Sequence, residues 1–389
     1  MRLPVSWCVV AALLPTLAPA PARALDEAHY RAAREMIDRS IAFLRAQQDS
    51  ASGGWLVRDD GPQIPAITGL VLTGMLMEPN IDARDPAVAR GLGFILANRR
   101  PDGGIYDSIL ASYNTSICLS ALARANTAEA AAAIEPAQDF LRAIQWSEDS
   151  IDHEETGAVT PDHPFYGGIG YGSHSRPDGS NLNMMIQALR DSGLSCDDPA
   201  YTRALVFLQR TQMDDRVNDM PYAEGSRQGG FIYATGPEGD QPGVGETKAG
   251  AIEEVTPDGR RVSRLRCYGS MTYAGFKSYI YANLDRDDPR VRLAYDWIKS
   301  HYTLAENPGV GMQGLYYYLV TFSRALDAWG LPTIETDAGS RDWANDLIDR
   351  LGGLQNPDGS FRSVHQRWME GEPVLITAYA LIALQHAIH

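Results

Sequence analysis

The sequence predicts an all-α fold, an (α/α)6 toroid of six helical hairpins with a β-hairpin and loop inserted in the fourth unit. Three observations carry this. An aromatic–aliphatic pair recurs at the end of amphipathic stretches. A glycine turn and an apolar residue follow it. Each turn then leads into a segment that is apolar on nearly all sides, and such a segment belongs inside a fold. Repetition over periods of tens of residues is the mark of a repeat architecture.

The aromatic–aliphatic pairs are Phe43-Leu44, Phe94-Ile95, Phe140-Leu141, Phe207-Leu208 and Trp297-Ile298. Apolar residues precede them at helical spacing: Ile37, Ile41 and Leu44; Val88, Leu92 and Ile95; Tyr201, Leu205 and Leu208; Val291, Tyr295 and Ile298. Each set draws one buried stripe along a helix. The starts agree. Asp85-Pro86, Asp198-Pro199 and Asp288-Pro289 set a capping carboxylate before a proline that has no amide to waste. Glu135-Pro136 is expected to open another helix in a weaker version of this signal, and Ser340 the last.

The turns are Gly53-Gly54-Trp55, Asp102-Gly103-Gly104-Ile105, Tyr166-Gly167-Gly168-Ile169, Gly229-Gly230-Phe231, Gly309-Val310-Gly311 and Asp358-Gly359-Ser360-Phe361. The inner helices are expected at 62–77, 109–125, 179–192, 266–284, 313–329 and 372–388. Six pairs suggest closure, and a closed ring needs no polar capping repeats. The apolar run Val374–Ile388 would then seal against the first unit. In the insertion, Ala251–Val255 and Arg260–Leu265 read as a hairpin around Thr256-Pro257-Asp258-Gly259, and Gly236–Gly250 as a mobile loop of the kind that forms lids.

The chain has 389 residues, 44% of them hydrophobic, and a formal net charge of -15. It can bury a large core. With no basic stripe, a nucleic-acid partner is excluded. Residues 1–24 read as a signal peptide: Arg2, an apolar run from Val5 to Leu17 broken by proline, and Ala22-Arg23-Ala24 before Leu25. Residues 25–389 then form one exported repeat domain, periplasmic or extracellular, with no transmembrane segment after signal removal. Cys118, Cys196 and Cys267 remain, an odd number that allows one bridge at most. Nothing indicates an oligomeric state.

The unit from Phe43 to Trp55, an aromatic–Leu pair with a following Gln47 and a Gly-x-Trp turn, resembles the repeat of squalene cyclases and of protein prenyltransferase β subunits. Gln355-Asn356-Pro357-Asp358-Gly359-Ser360-Phe361 looks like another copy. The resemblance covers essentially the whole mature chain as a repeat pattern. It implies the α/α toroid, a glutamine that ties the turn and an aromatic that packs on the next helix. The catalytic motifs transfer poorly. The Asp-x-Asp-Asp string of the cyclases occurs as Asp285-Arg286-Asp287-Asp288, where Asp288 fills a helix-cap slot between units. The prenyltransferase Asp-x-Cys zinc element fails at Cys267, because Leu265 stands two residues before it. The thioester string of complement-type toroids is missing too. No metal and no cofactor is implied.

Polar residues near the turns and inner-helix starts frame the mouth of such a ring, and they supply the candidates. Catalytic candidates are Asp107, His174, Asp178 and Glu370; His174 with Asp178 would make a general-base pair, while Asp178 also reads as a plain N-cap and Glu370 as a helix-terminal charge. Substrate-binding candidates are Tyr113, Asn114, Tyr171, Arg176 and Asn181 in the second and third units. Arg266, Tyr268, Tyr317, Arg367 and Trp368 complete the set. An aromatic wall suits a carbocation through its quadrupole and a sugar ring equally. Three functions follow: binding or conversion of an isoprenoid or other apolar, lipid-like small molecule; a carbohydrate lyase or hydrolase on an α/α barrel; or a non-catalytic binding toroid.

Overall fold

The computed structural model describes residues 25–57, 60–149, 159–172, 175–236, 243–256 and 258–389. The leader 1–24, His174, Pro257 and residues 237–242 of the expected lid loop lie outside the described residues.

The outer helices are α1 (Glu27–Ala46), α3 (Pro86–Ala97), α5 (Ala128–Ala143), α7 (Pro199–Thr211), α9 (Pro289–Ser300) and α11 (Trp343–Gly352). They alternate with inner helices α2 (Pro65–Leu76), α4 (Ala111–Ala125), α6 (Gly179–Asp191), α8 (Gly269–Tyr281), α10 (Leu315–Trp329) and α12 (Pro373–Ile388). The inner helices pack in the order α2–α4–α6–α8–α10–α12, and α12 returns to pack on α2. The ring is closed. Helix α1 packs on α11 and α12, which seals the outer layer.

Each Asp-Pro start is a cap. Asp85 accepts from the amides of Ala87 and Val88, Asp198 from Ala200 and Asp288 from Arg290. The inner helices α2, α4, α8 and α10 begin two or three residues later than expected, and two outer helices are capped by other residues than the sequence reading named. Pro136 lies within α5, which Thr127 caps eight residues upstream of Glu135. Ser340 lies in a hairpin of β5 (Thr333–Thr336) with β6 (Gly339–Asp342), and Asp342 caps α11. In α5 the alanine-rich run after Thr127 extends the helix upstream of Glu135, and in α11 Asp342 stands next to the helix, two residues nearer than Ser340.

The fourth unit carries the insertion. Strands β1 (Gln212–Asp214) and β2 (Arg227–Phe231) pair antiparallel, and β3 (Ala251–Val255) pairs with β4 (Arg261–Leu265) as expected.

The repeat is a hydrogen-bond clasp. The Gln212 amide donates to Gly229 O in its own turn and to Arg290 O in the first turn of the next outer helix, both at 2.9 Å. Gln145 does the same to Gly167 O and Ala200 O, and Gln48 to Gly53 O and Ala87 O. Gln355 bonds Gly359 O and reaches Met36 O and Ser40 of α1, so it closes the ring. The glutamine of the first unit is thus Gln48; Gln47 is exposed. A second clasp ties turn to inner helix. The amides of Trp55, Ile105, Phe231 and Phe361 donate to the hydroxyls of Thr68, Thr115, Thr272 and Thr377. Buried backbone groups need such partners, and here the same two side-chain types supply them around the ring.

The turns demand glycine where the chain passes under the next helix. Gly167 has φ +80°, and a side chain there would overlap the Arg203 carbonyl. Cys118, Cys196 and Cys267 are all free thiols, the first and last buried. Among the described residues no helix is long and apolar enough to cross a membrane.

Candidate functional site

The ring encloses a chamber of about 280 Å³ at the N-terminal ends of the inner helices. Its position follows from helix geometry. The third residue of five inner helices faces it: Ile67, Tyr113, Met271, Tyr317 and Leu375. One turn deeper come Leu70, Ile117 and Tyr379. In the remaining inner helix, α6, Ser180 takes this role and Asn181 turns away.

Six tyrosines line the wall. Tyr113, Tyr317 and Tyr379 stand on inner helices, Tyr171 follows the third glycine turn, Tyr233 comes from the inserted segment and Tyr268 is the residue just before α8. Tyr317 Oη lies 3.0 Å from Ser180 Oγ and accepts from Asn183 Nδ2 at 3.4 Å. Tyr171 Oη lies 3.4 Å from Tyr233 Oη. Burial raises every one of these phenols above its ordinary range, Tyr171 to about 12. They therefore stay neutral, offering ring faces and hydroxyl donors.

Trp368 covers the mouth and is 42% exposed. It sits at φ 57° with Met369 at φ 64°, left-handed backbone that non-glycine residues rarely adopt. Its ring rests on Gly314, where a Cβ would come within 2.9 Å. Arg367 lies over that ring at 4.4 Å and donates to Gln313 Oε1 at 2.6 Å.

The remaining candidates hold the mouth in shape. Asn114 Oδ1 accepts from Ala66 N at 3.0 Å and its amide donates to Ile109 O, which caps α2, a helix without a cap of its own. Asn307 Oδ1 does the same for α8 through Ser270 N. Glu370 caps α10 through Tyr317 N at 2.9 Å, in place of the side chain that Gly314 lacks. Glu370 is fully buried, its other carboxyl oxygen has no partner, and desolvation pushes it up to about 7 against the bonds from the α10 amides.

Asp178 caps its own helix, accepting from the amides of Ser180 and Asn181 at 2.9 Å, and takes the Asn181 side-chain amide on its second oxygen. Burial raises its carboxyl above the ordinary range, with Asn181, Arg176 and the Tyr233 hydroxyl opposing. Asn181 Oδ1 accepts from Ser112 Oγ, tying α6 to α4 rather than facing the chamber. Arg176 pairs with Glu246 at 2.8 Å and lies 5.3 Å from the centre of the Tyr233 ring, with Lys248 over the same ring at 4.5 Å. Asp107 accepts from Gln63 N at 2.9 Å and pairs with Arg100, outside the chamber. Arg266 also lies off the chamber wall, its backbone bonded to Gly250 and Thr247 in the inserted segment.

Of the candidates, Tyr113, Tyr171, Tyr268, Tyr317 and Trp368 therefore meet at one cavity, and no carboxylate is among its described lining residues. Tyr233, Tyr379 and Ser270 went unnoticed in the sequence. A signal existed in the third-residue rule, which marks the inward face once the helix starts are known.

No protein-family model matches the chain, and no curated relative matches it. Solved structures do. The type II terpene cyclase MstE from Scytonema, in complex with its product merosterolic acid A, is 13% identical with a TM-score of 0.51, covering 94% of this chain and 99% of that one. The GH76A α-1,6-mannanase from Salegentibacter sp. HEL1_6 is 10% identical with a TM-score of 0.55, covering 92% and 98%. An α-amylase from Clostridium perfringens is 12% identical with a TM-score of 0.52, covering 92% and 97%. At these identities the likeness is one of fold: the chain is an α/α toroid of the architecture that terpene cyclases and toroid glycosidases share.

Proposed function

We propose that the protein binds a compact apolar molecule of the isoprenoid class inside the tyrosine-lined chamber, and that it does so outside the cytoplasm after export. The observation that carries the reading is the lining itself: apolar side chains from four inner helices (α2, α4, α8 and α12), six neutral phenols, and serine hydroxyls as the polar remainder. Ligand pockets of this kind are largely apolar with a few fixed polar groups, and about 300 Å³ is their lower size limit. Ring faces also suit a polarised or cationic polyene.

Binding is favoured over conversion. A cyclase-type acid must face the alkene it protonates, whereas Asp178 and Glu370, the buried acids nearest the chamber, each serve a helix start. The glycosidase reading is less favoured, since that chemistry uses two carboxyls across the scissile bond.

The test is mass spectrometry of organic extracts from natively purified mature protein, against an unrelated exported control. The expected result is one enriched isoprenoid-like species at near-stoichiometric amount. It should be lost in Ile67→Trp and Leu375→Trp, which fill the chamber. Retention of an oligosaccharide instead, or an extract that these variants leave unchanged, would overturn the reading.

A further inference from the structure

The polar atoms of the chamber are not scattered. Tyr113, Ser180, Tyr317 and Tyr379 come from α4, α6, α10 and α12, and their hydroxyls gather in one cluster. Ser180 Oγ lies 3.0 Å from Tyr317 Oη, and the Tyr113 hydroxyl interacts with Ser180 on one side and Tyr379 on the other. The Tyr317 and Tyr379 rings meet edge-on, 6.0 Å between centres. Behind the wall, buried Asn183 donates its amide to Tyr317 Oη at 3.4 Å, and its own Oδ1 has no partner. Away from the cluster the wall carries Ile67, Leu70, Ile117, Met271 and Leu375.

The hydrogen bonding of such a cluster has a definite surplus. Each hydroxyl owns one proton and two lone pairs. Hydroxyls linked in an open chain spend one proton fewer than they own, so one O–H is left to donate. Lone pairs are in larger excess, even after the Asn183 amide takes one. The cluster can therefore donate once and accept more than once, which is the complement of an alcohol. An ether or a ketone could only accept from it, and a hydrocarbon would leave it unpaired.

Charge selects against an anionic headgroup. None of the described residues lining the chamber is charged. The Asp178 carboxyl behind the wall helps raise Tyr171, Tyr233, Tyr268 and Tyr317, and Glu370 does the same to Tyr379. A phosphate carried inside would meet that negative potential with no cation to offset its desolvation. At the rim Arg176 and Lys248 both pair with Glu246, and Arg367 is held by Gln313.

We propose that the ligand is a free terpenoid alcohol, its hydroxyl seated among Tyr113, Ser180, Tyr317 and Tyr379 and its hydrocarbon against the apolar wall. This rests on the reading of the chamber as an isoprenoid site and adds the headgroup and the residues that select it.

The test is isothermal titration calorimetry of mature protein freed of bound lipid. The probes are geraniol and farnesol, the methyl ether of each and the monophosphate of each. One of the alcohols should bind about tenfold more tightly than its ether, the worth of one donated hydrogen bond, and the monophosphate should bind more weakly still. Tyr317→Phe keeps the ring and removes the hydroxyl, and it should erase the difference between alcohol and ether; Ser180→Ala should reduce it. An ether or monophosphate that binds as tightly as the alcohol, or a preference that survives in both variants, overturns the headgroup assignment and leaves the isoprenoid reading standing. If no probe binds at either chain length, the isoprenoid reading itself falls, and this one with it. Should Tyr317→Phe fail to fold, the wild-type series and Ser180→Ala still decide.

Discussion

Glu370 gives the sharpest test of how the mouth is built. Its carboxyl is buried and caps α10, and burial raises it from 4.5 to about 7. The sign follows from linkage. A folded-state value above the unfolded one means that the folded protein holds the proton more tightly. The native state is then penalised as pH rises from the unfolded value through the folded one, and the penalty is constant above that. A shift of this size at 1.36 kcal/mol per unit amounts to roughly 3 kcal/mol. Glu370→Gln keeps an acceptor for Tyr317 N and removes the charge. Near pH 4.5 the variant and the wild type should be about equally stable. The variant's advantage should grow up to pH 7 and level off at roughly 3 kcal/mol above pH 8. Equilibrium urea unfolding at half-unit pH steps measures it. A stability difference that stays flat between pH 4.5 and 8 would refute the reasoning, since Glu370 would then ionise in the fold as it does in the unfolded chain.

The clasp predicts that Gln212→Ala, which strands Gly229 O, Arg290 O and the Tyr279 hydroxyl, costs about 2–4 kcal/mol in urea unfolding, while Gln47→Ala changes it by less than about 0.5. Gly167→Ala should cost at least about 3 kcal/mol because its Cβ meets the Arg203 carbonyl, whereas Gly93→Ala, on the exposed face of α3 with open space around it, should stabilise by roughly 0.5–1 kcal/mol. Native titration with a thiol reagent should label Cys196 alone, since Cys118 and Cys267 are buried and burial raises both thiols; rapid reaction of three thiols would refute the packing.

The order of outer and inner helices could be read along the chain because each signal is local. Asp85, Asp198 and Asp288 cap the three or four residues beside them, and a stripe such as Ile37, Ile41 and Leu44 reports one helix face. The chamber tyrosines Tyr113 and Tyr317 were legible as aromatic residues just after a glycine turn, near the starts of inner helices that the sequence placed two residues too early.

What the sequence by itself determined was thus a closed ring of six hairpins, the place of its insertion and the end of the ring at which a cavity opens. Only the tertiary structure decided what the polar residues there do. Asn114 and Glu370 cap helices other than their own, Asn181 ties α6 to α4, and Gln48 rather than Gln47 clasps the next unit. Their partners lie tens of residues away, so no local pattern announces them.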